Sequence, residues 1–195
     1  SKGLKHILPV IYKIWDNSQD IDFESLPNKF VLKCNHDNGS TIVVIDRYSI
    51  NDDYVKKYYS KKLSKQFGML TAEPHYINIP RKVFAEEYLE NDKPFSDSLV
   101  SYKFFSFYGI AEYCQIIYDS TYHKNQKSII YRVSDWKKQV GFINKNEGNI
   151  DIPCPKKLEE MINIVKLLSE DLPFCRVDLY EICLLYTSPS PRDCS

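Results

Sequence analysis

Four residues in this chain carry side chains that could do chemistry together: Lys33, Lys103, Arg176 and Asp178. Each falls in a run that otherwise reads as a β-strand. Lys33 sits among Phe30, Val31 and Leu32, and Lys103 precedes Phe104 and Phe105. In FCRVDLYEI (174–182), Cys175, Val177 and Leu179 share one face, and Arg176 and Asp178 share the other, because strand side chains alternate. An outward ion pair contributing roughly 0–1 kcal/mol would account for the Arg/Asp pair alone. So would a polar cleft floor, where Arg steadies anionic oxygen and Asp holds a divalent cation. Two lysines from different sheets plus such a pair are what a polyphosphate and Mg²⁺ require. The sequence has no GxxxxGK[ST] loop and no GxGxxG, so a nucleotide would need another architecture to bind it.

The elements that must position these residues follow from the pattern. FVLKCNH (30–36) and STIVVIDR (40–47) read as strands joined by HDNG, with Asn38-Gly39 suited to a tight hairpin turn. Asn51 or Asp52 caps a helix over roughly 52–67, with Val55, Tyr58, Tyr59, Leu63 and Phe67 as its apolar stripe. The lysines at 56, 57, 61, 62 and 65 read as its solvated face. KVFAEEYL (82–89) starts as a strand and runs into the polar stretch ENDKPFSDS, the best lobe boundary. Strands follow at 101–109, 111–120 and 128–133. PKKLEEMINIVKLLSEDL (155–172) is the clearest helix, opened by Pro155, with Leu158, Met161, Ile162, Val165 and Leu168 on one face. Hairpin-like strand runs with single helices predict an α+β fold rather than a doubly wound one.

Composition narrows the class. The 195 residues are 43% hydrophobic and 14% aromatic, enough for a core and against disorder. Lys+Arg and Asp+Glu balance at 26 each, which gives no charge to steer the chain to nucleic acid. No apolar run reaches the ~18 residues of a membrane span. Cys34, Cys114, Cys154 and Cys175 are widely spaced without CxxC. Three of them lie in apolar stretches, as buried free thiols do, which fits a reducing, cytoplasmic setting.

FVLKCNHDNGS, then IPRKVFAEEYL, SYKFFSFYG and FCRVDLYE, in that order, resemble the TupA-like ATP-grasp family across most of residues 7–181. That family is associated with teichuronopeptide and cell-surface polysaccharide biosynthesis. The resemblance implies two α+β lobes closing over ATP, and a ligase that activates a carboxylate as an acylphosphate for attack by an amine. It implies a smaller lobe at 1–85 and a hinge and larger lobe at 86–182. Lys33 would contact the nucleotide phosphates, and Asn38, Gly39 and Ser40 would cover them with backbone N–H groups. Glu86 to Leu89 would be the hinge reading the adenine edge, with Glu86 and Glu87 as its polar contacts. Lys103 would be the second phosphate-side lysine, Arg176 would steady the transferring phosphoryl or acylphosphate, and Asp178 would ligate Mg²⁺. The implied partners are ATP and a carboxylate- or saccharide-type substrate. Asp135-Trp136 also matches a family position, without an assignable role.

From Cys183 the character changes. CLLYTSPSPRD is spelled residue for residue by the codons of a transposase sequencing adapter, so 183–195 is expected to be a foreign tail. The family pattern would continue there into a strand carrying a further metal-binding Glu. Its replacement is expected to leave the sheet edge beside 174–182 unpaired and the fragment, incomplete at both ends, inactive. Two other readings remain: a nucleotide-sugar enzyme of glycosyltransferase type, using Lys and Asp with a divalent ion, and a carbohydrate-binding module with a Tyr-rich surface.

Overall fold

The computed structural model describes residues 7–37, 39–65, 79–120, 126–142 and 145–182, and the backbone of 185–187. The architecture is α+β, with two antiparallel sheets. The chain divides into two compact units. One is Pro9–Tyr88; the other runs from Leu89 onward and includes Ile7 and Leu8.

In the first unit, strands β1 (Ile11–Trp15), β2 (Phe30–Cys34), β3 (Ile42–Val44) and β4 (Val83–Glu87) form a sheet in the order β1-β4-β2-β3. Helix α1 (Asp52–Leu63) starts where Asn51 Oδ1 accepts the Tyr54 N–H at 2.9 Å. Asp52 and Asp53 in its first turn and Lys61 and Lys62 in its last complement the helix dipole. Val55 and Tyr59 pack on Phe30, Leu32, Val44, Val83 and Ala85, with Ile21, Phe23 and Leu26 closing the core. Full burial of a side chain such as Phe30 or Leu32 contributes about 2–3 kcal/mol. Trp15, the last residue of β1, is part of this core. The helix stops at Leu63, short of the expected end; Phe67 lies outside the described residues.

The 30–47 segment is a hairpin, but not a tight one. β2 and β3 pair from Phe30↔Val44 to Leu32↔Ile42, so a long loop replaces the expected two-residue turn. Side-chain bonds rather than turn chemistry hold that loop, as described below.

In the second unit, β5 (Ser101–Phe107), β6 (Ile110–Tyr118), β7 (Lys127–Arg132), β8 (Lys137–Gln139), β9 (Cys175–Glu181) and β10 (Leu185–Thr187) lie in the order β10-β9-β5-β6-β7-β8. A tight turn joins β5 to β6. Its residues Tyr108 (φ 47°) and Gly109 (φ 79°) are both left-handed, as a type I′ turn needs. A Cβ on Gly109 would stand 3.0 Å from Glu170 Cα, so the position has neither the backbone nor the room for a side chain.

Helix α2 (Leu158–Ser169) covers one face of this sheet. Met161 and Val165 are fully buried against Tyr102, Phe104, Ile116, Val177 and Leu179. Pro155 stands before the helix rather than opening it, accepting the Leu158 N–H at 3.2 Å. Lys157, at the N-cap, makes no side-chain cap bond. Glu181 Oε1, reaching from β9, accepts the Lys157 N–H at 2.8 Å and so caps the helix from outside. Ser106 of β5 and Ser169 of α2 share a 2.8 Å hydroxyl contact. Trp136 stacks on Tyr131, ring centroids 5.0 Å apart, and donates Nε1–H to the Ile152 carbonyl at 3.0 Å. Asp135 pairs with Arg132, so both residues of that dipeptide do structural work.

The expectation of a bare edge beside 174–182 is not met. β10 pairs antiparallel with β9, Leu185↔Glu181 to Thr187↔Leu179. An edge strand offers a row of free N–H and C=O groups, and a short extended segment of almost any sequence can satisfy them.

Candidate active site

In the second unit, strand register assembles the charged residues on the sheet face away from α2. Lys103 lies directly opposite Asp178 on β9 and opposite Gln115 on β6. Arg176 is two residues before Asp178 and therefore on the same face. Lys103 Nζ forms an ion pair with Asp178 Oδ2. Arg176 donates from Nε to Asp178 Oδ1 at 2.8 Å and from Nη2 to Oδ2 at 3.2 Å. These partners leave Asp178 only 4% exposed, so its charge is compensated where water is largely excluded. Gln115 turns toward the next strand and donates to Ser128 Oγ at 2.6 Å.

In the first unit, Lys33 and Glu86 meet on the sheet face away from α1. Glu86 stands opposite Val31, and Lys33 opposite Phe84, so the two charges are diagonal neighbours on adjacent strands. Lys33 Nζ pairs with Glu86 Oε1; the Lys33 side chain stays 22% exposed and that of Glu86 only 5%. Glu86 Oε2 is buried without a hydrogen-bond partner. Around this pair the face is apolar: Val31, Phe84, and the half-exposed Ile11, Ile14 and Val43. Glu87 accepts the N–H of Val10, the residue before β1, at 3.3 Å, and Leu89 is buried.

The loop between β2 and β3 is built from polar contacts. Ser40 Oγ accepts the Cys34 N–H at 2.9 Å and donates to Asp37 Oδ1. Helix α1 holds the loop from beside. Lys62 Nζ lies 3.5 Å from Asp37 Oδ2 and donates to the Gly39 carbonyl at 3.2 Å. Tyr58 donates to the same carbonyl at 3.3 Å. Tyr59 donates to the carbonyls of Leu32 and Ser40. His36 Nε2 lies 3.1 Å from the Lys62 carbonyl, which can only accept, so Nε2 carries the hydrogen. A Cβ on Gly39 would meet nothing within 4 Å, so the loop is open to solvent there. Asn38 lies outside the described residues.

Burial dominates the thiol beneath this loop. Cys34 is pushed up to about 12 by desolvation, partly offset by the Ser40 hydroxyl. It is therefore a neutral core thiol. Among the described residues no cysteine is in a disulfide; Cys34, Cys114 and Cys175 are buried and Cys154 exposed.

Chemically, the second unit offers two cations and a carboxylate at one point, and the first a lysine on an apolar floor. A divalent cation fits Asp178 only in company. Among the described residues no group of three or more His, Cys, Asp or Glu could hold an ion alone. Mg²⁺ is commonly held by one or two carboxylates plus phosphate oxygens and water, and one carboxylate beside two phosphate-seeking cations suits that division.

Some of this machinery was hidden in the sequence. Lys62 sits among lysines that do form a solvated face, and only its position on the last turn brings it to Asp37 and Gly39. Glu181, within the FCRVDLYE motif, points to the α2 side and accepts from Lys93 Nζ at 2.8 Å as well as from Lys157. Its place one strand position out of phase with Asp178 was the available signal.

A family model described as TupA-like ATPgrasp matches residues 1–184, and the chain belongs to that family. Two solved structures are similar. The D-alanine–D-alanine ligase of Bacillus anthracis, complexed with ATP, is 14% identical, with a TM-score of 0.48 over 94% of this chain and 50% of its own. The ATP-grasp ligase PsnB, complexed with a minimal precursor, is 11% identical, with a TM-score of 0.42 over 92% of this chain and 46% of its own. The chain thus spans about half the length of the solved structures it matches. No curated protein matches it.

Proposed function

We propose that the chain serves an ATP-dependent carboxylate–amine ligase acting in the synthesis of a cell-surface polysaccharide or teichuronopeptide. One observation carries this reading: in a chain of an ATP-grasp family, Lys103, Arg176 and Asp178 meet on one sheet face, the one away from α2. The apolar floor around Lys33 supports it, since a flat base suits Val31, Phe84 and Ile14 while the lysine takes a phosphate oxygen.

In the proposed reaction a substrate carboxylate oxygen attacks the γ-phosphorus of ATP, and ADP leaves. The resulting acylphosphate is attacked at its carbonyl carbon by an amine, which loses a proton as inorganic phosphate departs. Lys33 and Lys103 would neutralise phosphate oxygens, and the backbone around Gly39 and Ser40 would cover them. Arg176 would steady the transferring phosphoryl group, and Glu86 to Leu89 would border the base. Mg²⁺, held by Asp178 and phosphate oxygens, would screen the charge that builds between β- and γ-phosphates. A carboxylate-bearing saccharide is the proposed acceptor, and use of ATP fits a cytoplasmic setting.

Calorimetric titration with ATP and Mg²⁺ tests nucleotide binding, with Lys103→Ala expected to abolish it. Hydroxylamine trapping of an acylphosphate then tests the chemistry. Absence of ATP binding, or ADP release without any hydroxamate when carboxylates are supplied, would overturn the proposal.

A further inference from the structure

We infer that Lys103 and Arg176 act as a gate on Asp178, so that a divalent cation reaches this carboxylate only once a polyphosphate has drawn the two cations away. The inference rests on the reading of this face as a phosphate and metal site, and it adds an order of events to it.

The argument starts from occupancy. Both oxygens of Asp178 are already engaged: Oδ1 by Arg176 Nε, Oδ2 by Arg176 Nη2 and by Lys103 Nζ. At 4% exposure the carboxylate has no free side to offer an incoming ion. An ion arriving alone would have to displace one or both cations and then sit beside them. Like charges a few ångströms apart in a partly desolvated site repel strongly. A polyphosphate changes the sign of that balance. It gives Lys103 and Arg176 new anionic partners, frees the oxygens of Asp178, and contributes its own oxygens as ligands. Metal and polyphosphate are therefore thermodynamically coupled, and the coupling is reciprocal: each raises the affinity of the other by the same factor. The Lys33–Glu86 pair repeats the device in the first unit, where a lysine is also held by a carboxylate of the neighbouring strand.

Reciprocity supplies two independent tests, neither requiring turnover. In the first, Mn²⁺ is titrated alone and followed by electron paramagnetic resonance. Lys103→Met is expected to bind Mn²⁺ roughly tenfold or more tightly than the unaltered protein. Lys103→Arg, which keeps the charge, should bind as weakly as the unaltered protein. Arg132→Gln, a lost charge elsewhere on the same sheet face, should change nothing. In the second, inorganic tripolyphosphate is titrated calorimetrically without metal. Asp178→Asn, which takes the carboxylate charge away from both cations, is expected to bind it roughly tenfold more tightly. Circular dichroism identifies any variant that fails to fold, and the other arm then decides. Equal Mn²⁺ binding by Lys103→Met and the unaltered protein, an equal gain in Arg132→Gln, or no gain in Asp178→Asn would overturn the gate. Should ATP itself fail to bind while these comparisons behave as expected, the ligase reading falls and the gate stands.

Discussion

Tyr59, on α1, donates its hydroxyl hydrogen to the carbonyl of Ser40, 2.6 Å away, and shares it with the Leu32 carbonyl at 2.8 Å. One buried donor thus ties the helix to both the central strand and the loop proposed to cover the phosphates. Tyr59→Phe keeps the ring and its packing and removes only the donor. It is expected to cost about 1–2 kcal/mol in urea unfolding, since two carbonyls lose their partner out of water. Amide hydrogen exchange should quicken around Gly39 to Thr41 more than along β4. Uniform exchange across the unit would show that the hydroxyl does not hold the loop.

The Lys33–Glu86 pair makes a sharper stability test. Lys33→Met strands a carboxylate whose side chain is only 5% exposed and is expected to cost about 3 kcal/mol or more. Lys33→Met combined with Glu86→Gln removes the stranded charge and should recover part of that loss. A double variant less stable than Lys33→Met alone would mean that Glu86 is held by something other than the lysine.

Glu181 should matter to α2. Glu181→Gln keeps the shape but weakens the bonds to Lys93 Nζ and to the Lys157 N–H, for an expected loss of about 1–3 kcal/mol. Burial opposes the charge on Lys93, but its bonds to Glu181 and Asp92 outweigh burial and hold it above the usual lysine value. A lysine raised in the folded state contributes stability that is complete below its unfolded value near 10.5 and lost as pH climbs through the folded one. Denaturation midpoints measured between neutral pH and strong alkali should therefore fall less steeply in Glu181→Gln. Parallel profiles would contradict the pairing.

Alkali should also act through Cys34. Burial raises this thiol to about 12 against an ordinary value of 9.0, so between these values the unfolded chain ionises and the folded one does not. Stability is present in full below 9.0 and declines above it, and Cys34→Ala should remove that part of the slope. At pH 8, iodoacetamide followed by peptide mass spectrometry should label Cys154 and leave Cys34, Cys114 and Cys175 untouched until denaturant is added. Early labelling of Cys34 would place it at the surface.

What the sequence made legible was whatever alternation or helical spacing could carry. The β9 pattern separated Arg176 and Asp178 from Cys175, Val177 and Leu179, and the structure keeps that division. The α2 stripe named Met161 and Val165, both fully buried. β1 went unread because four of its five residues are exposed, so Ile11, Tyr12, Lys13 and Ile14 show no alternation. β8, Lys137–Gln139, is a strand only because β7 supplies its hydrogen bonds. The hairpin loop misled for a related reason. Asn38-Gly39 is good turn chemistry, but Ser40, Asp37 and Lys62 hold a wider loop, and no local signal reports a lysine arriving from a helix further along the chain. The cross-strand partners of the site residues were invisible, since Glu86 for Lys33 and Asp178 for Lys103 follow from register alone.

The chain has two tryptophans, Trp15 in the core of the first unit and Trp136 stacked on Tyr131 in the second. Nature has thereby placed one indole fluorophore in each half. Trp15→Phe and Trp136→Phe each leave a single emitter, and their separate emission curves reveal whether the halves melt as one cooperative block or in succession.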